Sequence, residues 1–119
     1  MQKEPLERVR ALCLALPEAT EKAEGRPAFQ MRGKTFAMYM DNHHDDGRVA
    51  LWCKAAPGAQ DVPVRADSER FFVPPYVGPQ GWVGMRLDRD IDWEEVGAIL
   101  VDAYRLQAPK RLAALLDQH

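Results

Sequence analysis

Candidate metal ligands are concentrated in two short acidic stretches. His43-His44-Asp45-Asp46 combines imidazole and carboxylate groups, which suit Zn, Ni or Fe. Adjacent residues of one polar loop rarely form a closed coordination shell, and a metal site needs further ligands from elsewhere in the chain. Glu18, Glu21 and Glu24 could bind a hard cation weakly, but their spacing does not require one. We therefore predict no resident metal and no cofactor.

Motifs for nucleotide chemistry or covalent catalysis are absent from the sequence. It contains no Walker loop, GxGxxG, GxSxG or HExxH. Ser68 is the only serine, and no histidine lies near it in sequence. Cys13 and Cys53 are too few and too isolated for a disulfide framework or a CxxC metal site, and we expect both to be small buried hydrophobic residues. The chain is therefore predicted not to be an enzyme.

Aromatic and basic residues that alternate along the predicted strands indicate a binding surface instead. The proposed set, which includes one residue of a predicted turn, consists of Arg32, Lys34, Tyr39, Arg48, Trp52, Lys54, Trp82 and Arg86. Aromatic rings that stack on bases and cations that attract phosphates are what nucleic-acid binding requires. The same mixture suits a protein interface, where Trp, Tyr and Arg are enriched.

A different arrangement of the same residues remains open. Trp52 and Trp82 could be neighbours that close a small second core under a loop formed by residues 71–81. The assignment of each strand to a face also depends on its register, because a shift of one residue moves every side chain to the opposite side.

Periodicity and turn residues define the elements that position these side chains. Helical spacing of apolar residues, a Gly-X pair typical of a type II′ turn, strand alternation and the helix cap Asp92 are the main signals. The predicted elements are a helix over residues 4–16, a strand near 20–24, a hairpin of strands 28–32 and 35–40 with its turn at Gly33-Lys34, a strand over 48–54, a short helix near 58–66, an extended loop over 71–81, a strand over 82–87, a helix beginning at Asp92 and a last helix over 110–117.

The order of these elements indicates the fold class. Strands run consecutively and helices gather at the two ends of the chain, which favours an α+β fold with an antiparallel sheet and helices on one face. Gly84, inside the strand over residues 82–87, indicates a bulge or the close approach of another group. A length of 119 residues fits one domain over residues 1–119.

Charge and hydropathy restrict the partners. The net charge is −2, so any attraction for nucleic acid must come from an uneven distribution of charge. No apolar run is long enough to cross a membrane, and we expect no membrane partner. The first ten residues are charged and lack the apolar centre of a signal peptide, so we expect a cytoplasmic location.

Four segments of the sequence resemble one family. They are LCLALPEATEKAEGRPAFQMRGKTFAMY, LWCKA, PPYVGPQGWVGMRLD and YRLQAPKRL, and together they are similar to the MmcQ/YjbR family of small bacterial proteins, formerly a domain of unknown function. The resemblance covers residues 5 to about 116. It implies a CyaY-like (frataxin-like) α/β sandwich and a double-wing DNA-binding motif, with the hairpin at Gly33-Lys34 and the strands beside Trp82 as the wing-like parts. The first helix carries only Glu4 and Glu7 instead of the acidic ridge of frataxins, so an iron role is not expected.

These observations favour a non-enzymatic binding module that contacts DNA through the open face of the sheet. The basic residues of the set would meet phosphates, and Tyr39, Trp52 and Trp82 would stack on bases. The alternative is a protein-interaction or regulatory domain that uses the same aromatic face. A small-ligand pocket under residues 71–81 is a third hypothesis.

Overall fold

The computed structural model of the chain describes residues 5–22, 26–42, 47–56, 58–75 and 77–117. Four helices and six strands lie in these ranges, together with two single 3-10 turns. In chain order they are α1 (Pro5–Leu14), β1 (Ala19–Glu21), β2 (Ala28–Met31), β3 (Lys34–Asp41), β4 (Val49–Lys54), α2 (Asp61–Ala66), β5 (Phe71–Phe72), a 3-10 turn (Gly78–Gln80), β6 (Trp82–Arg86), α3 (Trp93–Gln107), α4 (Lys110–Ala114) and a second 3-10 turn (Leu115–Asp117).

The strands form one antiparallel sheet in the order β1-β2-β3-β4-β6-β5. Strands β1 to β4 follow one another as a meander. Strand β6 then pairs with β4, and the short β5 adds to its outer edge. This arrangement confirms the predicted α+β class.

Helices α1, α3 and α4 cover one face of the sheet, which we call the helix-covered face. Asp92 caps α3 by accepting from the backbone N–H groups of Glu94 and Glu95, as its position in the sequence predicts. Residues at helical spacing then form the stripe that the helix buries. They are Val96, Leu100, Ala103 and Tyr104. The Tyr104 hydroxyl donates to Pro17 O at 2.6 Å, which links α3 to the chain after α1.

The other helices complete this core. Val9 and Cys13 of α1 and Leu112 of α4 are buried in the same cluster as the strand residues Leu51 and Val83. Burial also raises the pKa of the Cys13 thiol to about 12 and that of Cys53 well above its ordinary value. Both thiols are free and buried, so the prediction that the cysteines are hydrophobic core residues is confirmed.

The β2–β3 hairpin differs from the prediction in its turn. Arg32 and Gly33 occupy the two central positions with φ angles of 51° and 79°, and Met31 pairs with Lys34. Two positive φ values define a type I′ turn, whose twist matches that of the flanking strands. The predicted type II′ turn at Gly33-Lys34 is therefore wrong by one residue.

A bulge in the same hairpin reverses the second half of β3. Phe29 pairs with Ala37 and Gln30 with Thr35, so Phe36 is an extra residue on β3. Beyond the bulge the alternation is inverted, and Tyr39 pairs with Leu51 in the helix-covered core. The placement of Tyr39 on the open face is therefore wrong, because the sequence pattern did not reveal the inserted residue.

Candidate functional site

The side of the sheet opposite the helices, here called the second face, is also apolar and buried. Trp52 retains 2 % of its accessible surface, Trp82 5 % and Met40 3 %. These residues form a second core cluster with Ala50, and Met38, Phe72 and Val77 pack against it. The predicted open aromatic surface is therefore a second core, which is the alternative that the sequence left open.

Residues 73–75 and 77–81, here called the covering segment, close part of this face. Pro74 is fully buried, and Val77 packs against the tryptophan cluster. Within the segment, Gly78 N donates to Pro74 O at 3.0 Å and Gly81 N to Gly78 O at 2.9 Å, and Gly81 has a φ of 90°. The predicted loop over residues 71–81 thus contains a turn at residues 78–81, and this turn belongs to the covering segment of the second core.

Side chains from two other elements hold the covering segment. Gln60, the residue before α2, donates through Nε2 to Gly78 O at 2.9 Å and also to Trp82 O. Lys54, at the end of β4, donates through Nζ to Gln80 O. The Lys54 ammonium, predicted to meet a phosphate, thus binds a backbone carbonyl of the covering segment.

Gly84 marks the closest approach between β5 and β6. Phe72 pairs with Gly84 across the two strands, and a Cβ atom on Gly84 would overlap the Phe72 ring. The Arg48 guanidinium lies on the Phe72 ring, 4.2 Å from its centroid, where a cation is attracted by the ring face. The predicted close approach at Gly84 is confirmed, and the approaching group is an aromatic ring.

Carboxylates neutralise two of the predicted phosphate-binding cations. Arg86 donates to both oxygens of Asp88 at 2.9 Å, and this hydrogen bond lowers the pKa of Asp88. Arg32 donates to both oxygens of Glu18 at 3.1 and 3.2 Å, and about half of each side chain is exposed. Since an exposed ion pair is weak, Arg32 can exchange Glu18 for another anion at little cost.

The predicted set is divided between the two ends of the sheet. Arg48 and Arg86 lie toward one end, where Ala50 pairs with Arg86. Arg32 and Lys34 lie at the opposite end, beside the β2–β3 turn. The eight side chains therefore do not form one surface.

Additional cations join the hairpin end. Gln107 Nε2, at the end of α3, donates to Thr35 O at 3.0 Å and places the start of α4 near the hairpin. Arg32, and more weakly Arg111, lowers the pKa of Glu18, so both guanidinium groups are near that carboxylate. We call the exposed group Arg32, Lys34, Lys110 and Arg111 the basic end. Sequence reasoning missed Lys110 and Arg111, although two adjacent cations after Pro109 were a visible signal.

The candidate metal ligands give no assembled site in the described residues. The stretch His43-His44-Asp45-Asp46 and Glu24 lie outside them. Glu18 pairs with Arg32, and Glu21 accepts from Arg10 at 2.8 and 3.0 Å. In the ranges that the structure covers, no three His, Cys, Asp or Glu residues are grouped as metal ligands, and no helix has the length and hydropathy of a membrane span.

Comparisons with known proteins agree with this architecture. No functionally curated protein matches the sequence. Among solved structures, the chain is similar to the Deinococcus radiodurans protein DR2400, which carries the domain DUF419, with a TM-score of 0.73 and 19 % identity over 94 % of this chain and 87 % of that one. At this identity the likeness shows the fold. The profile of the YjbR family matches residues 14–106, which include the whole sheet and nearly all of α3. The chain therefore belongs to the YjbR family.

Proposed function

We propose that this chain is a non-enzymatic domain that binds nucleic acid through the phosphate backbone, and that the basic end is its contact surface. The observation that carries the proposal is that Arg32 of the hairpin and Arg111 of α4 both lie near Glu18. Their neighbours Lys34 and Lys110 are exposed as well. Neighbouring cations attract a polyanion more strongly than the same cations dispersed over a surface with a net charge of −2.

The shape of this region also supports the proposal. The Arg32-Gly33 turn projects two cations at the tip of an antiparallel hairpin, the form expected of a wing. A hairpin tip can follow a groove of a duplex while its cations contact phosphates on either side. Phosphate contacts carry no sequence information, so we expect little preference among DNA sequences.

Stacking on tryptophan is not part of this mechanism. Trp52 and Trp82 are buried, and Tyr39 lies in the other core. The alternative of a protein interface through the same aromatic residues would require the covering segment to move away first. The basic end needs no such rearrangement.

Anisotropy of a fluorescent DNA duplex, measured between about 50 and 200 mM salt, tests the proposal. Each phosphate that a cation neutralises contributes about −0.9 to the slope of log K against log salt. Lys34→Ala/Arg111→Ala should therefore make the slope about 2 less steep and weaken binding most at low salt. Single-stranded DNA serves as the comparison ligand, because a surface without stacking gains nothing from unpaired bases.

Arg65→Ala/Arg89→Ala is the matched control, because these exposed arginines lie in α2 and after β6 and their loss changes the net charge equally. We expect the control to retain most of the affinity and the slope. Equal losses in the two double variants would show that binding depends on total charge, and the basic end would then not be the site. Absence of binding at the lowest salt concentration would reject nucleic acid as the ligand.

A further inference from the structure

An apolar cleft lies between α2 and α3. Its volume is about 660 Å³, within the range of about 300–1,000 Å³ that is typical of small-ligand sites. Phe71 and Val83 of the sheet and Ile99 of α3 line it. The wall on the α2 side consists largely of small residues, among them Ala56, Ala59 and Ala66, which leave the space between the helices unfilled.

A second stripe of α3 faces this cleft. Glu95, Ile99, Asp102 and Leu106 follow one another at helical spacing and all line the cavity. The neighbouring stripe of the same helix, which includes Leu100 and Tyr104, fills the core. One stripe of α3 therefore fills the core, and the other lines the cleft, with Ile99 at the border between them.

An ion-paired arginine occupies one end of the cleft. Arg70 Nε donates to Asp67 Oδ2 at 2.7 Å, and Arg70 Nη1 lies 2.9 Å from Glu95 Oε1. The guanidinium also lies on the Phe71 ring, 5.0 Å from its centroid. These contacts fix Arg70, and they raise its pKa through Asp67 first and then Glu95.

The carboxylates of the cleft can accept more hydrogen bonds than Arg70 donates to them. Glu95 is held by Arg70, with its Oε1 atom 2.9 Å from Nη1 and its Oε2 atom accepting from Nη2 at 3.4 Å. Asp102 adds an exposed carboxylate one helical turn beyond Ile99. Lys54 and Arg105 also line the cleft, but the Lys54 ammonium already donates to Gln80 O.

Arg70 thus compensates Glu95, and Asp102 is the carboxylate of the cleft that forms no ion pair with a described residue, so it can accept from a ligand donor. The apolar walls need an apolar partner. We propose that the cleft binds a small amphipathic amine, whose apolar part lies between α2 and α3 and whose protonated nitrogen donates to Asp102. A neighbouring cavity of about 580 Å³ shares Lys54, Ala55 and Leu106 with the cleft, so a longer apolar tail can extend toward the 78–81 turn.

The sequence supplies a direct probe of this site. It contains two isoleucines, Ile99 in the cleft and Ile91 outside it. Protein labelled with ¹³C at the isoleucine δ1 methyl groups would be titrated with n-octylammonium, octanoate and n-octanol below their micellar concentrations. We expect the Ile99 signal to shift in a saturable manner while the Ile91 signal stays, and octylammonium to bind about tenfold more tightly than octanol, as a charge-assisted hydrogen bond predicts.

Three variants distinguish the parts of the proposal. Asp102→Asn should remove most of the preference for octylammonium over octanol, whereas Glu94→Gln, an exposed neighbour of Glu95 that does not line the cleft, should leave it unchanged. Ala59→Leu should weaken all ligands by filling the apolar space. Tighter binding of octanoate than of octylammonium would overturn the assignment of an amine. An Ile99 signal that does not respond to any of the three probes would overturn the cleft as a binding site.

Discussion

The two faces of the sheet are both buried, but they are closed by different kinds of structure. The helix-covered face is closed by α1, α3 and α4, whose interior backbone groups hydrogen-bond within each helix. The second face is closed in part by the covering segment, whose carbonyls accept from the side chains of Gln60 and Lys54. Local opening of a segment that is held by a few side-chain hydrogen bonds requires less free energy than removal of a layer of packed helices. Equal burial therefore does not imply equal local stability.

The largest expected effect tests whether the second face contributes as much to global stability as the helix-covered face. Trp52→Ala should lower the free energy of unfolding by about 3–5 kcal/mol, because it removes one of the two tryptophan side chains of the second core. Leu100→Ala should cost about 2–5 kcal/mol on the helix-covered face. Urea denaturation of both variants provides the comparison. A loss below about 1 kcal/mol for Trp52→Ala would show that the second face is not a true core.

Replacement of glycine by alanine should change the free energy of unfolding in opposite directions on the two faces. Gly84→Ala should lower the free energy of unfolding by about 1–3 kcal/mol, because the new methyl group overlaps the Phe72 ring. Gly97→Ala in α3 meets its nearest atom, Leu12 Cδ2, at 3.8 Å and should stabilise by up to about 1 kcal/mol. Thermal and urea unfolding measure both. A Phe72→Ala background should relieve most of the cost of Gly84→Ala, and an unchanged cost there would contradict the proposed overlap.

Alkaline pH should destabilise the helix-covered face through the buried thiol of Cys13. The pKa of Cys13 is about 12 in the folded protein against an ordinary value of 9.0, so the folded state holds this proton more tightly. Below pH 9 the thiol is protonated in both the folded and the unfolded state, so its full contribution to stability is present. Between pH 9 and pH 12 the free energy of unfolding falls by about 1.4 kcal/mol per pH unit, because only the unfolded state releases this proton. Urea unfolding at pH 8 and near pH 10 would measure the loss, and Cys13→Ala should reduce it. An identical pH dependence in that variant would contradict the assignment to Cys13.

The smallest expected effect is a change in the local stability of the covering segment alone. Gln60→Ala removes the hydrogen bonds to Gly78 O and Trp82 O and should lower the local opening free energy by about 1 kcal/mol. Amide hydrogen exchange should become faster at residues 78–82 while that of α3 is unchanged. Gln107→Ala, which loses the bond to Thr35 O, is the control and should leave the covering segment unaffected. Faster exchange of the segment in both variants would argue against a local lid.

Much of the fold was predictable because its signals are local. Helices α1 and α3 and strand β6 follow from spacing within each segment, and the cap at Asp92 lies where its sequence context indicates. The bulge at Phe36 was not predictable, since an extra residue leaves no trace in the alternation before it and inverts the alternation after it. Because of this one extra residue, Met38 and Met40 lie on the second face, where Tyr39 was predicted, and Tyr39 lies in the helix-covered core.

The candidate sites depended more on distant contacts. Burial of Trp52 and Trp82 involves a covering segment that follows β4 by some twenty residues, so the sequence left both arrangements open. The proximity of Arg111 to Glu18 joins opposite ends of the chain. The sequence indicated no site at Glu95 and Asp102, because only the position of α2 turns this side of α3 into the wall of a cleft.

The two outermost strands of the sheet have a consequence for association between molecules. Strand β1 has three residues and β5 has two, and β5 is followed at Pro74 and Pro75 by residues that lack a backbone N–H. An approaching strand thus finds few donors and acceptors in a row at either border, while the long strands β3 and β4 lie inside. Short borders of this kind oppose edge-to-edge growth of sheets, and they protect a protein with two apolar sheet faces from forming fibrils.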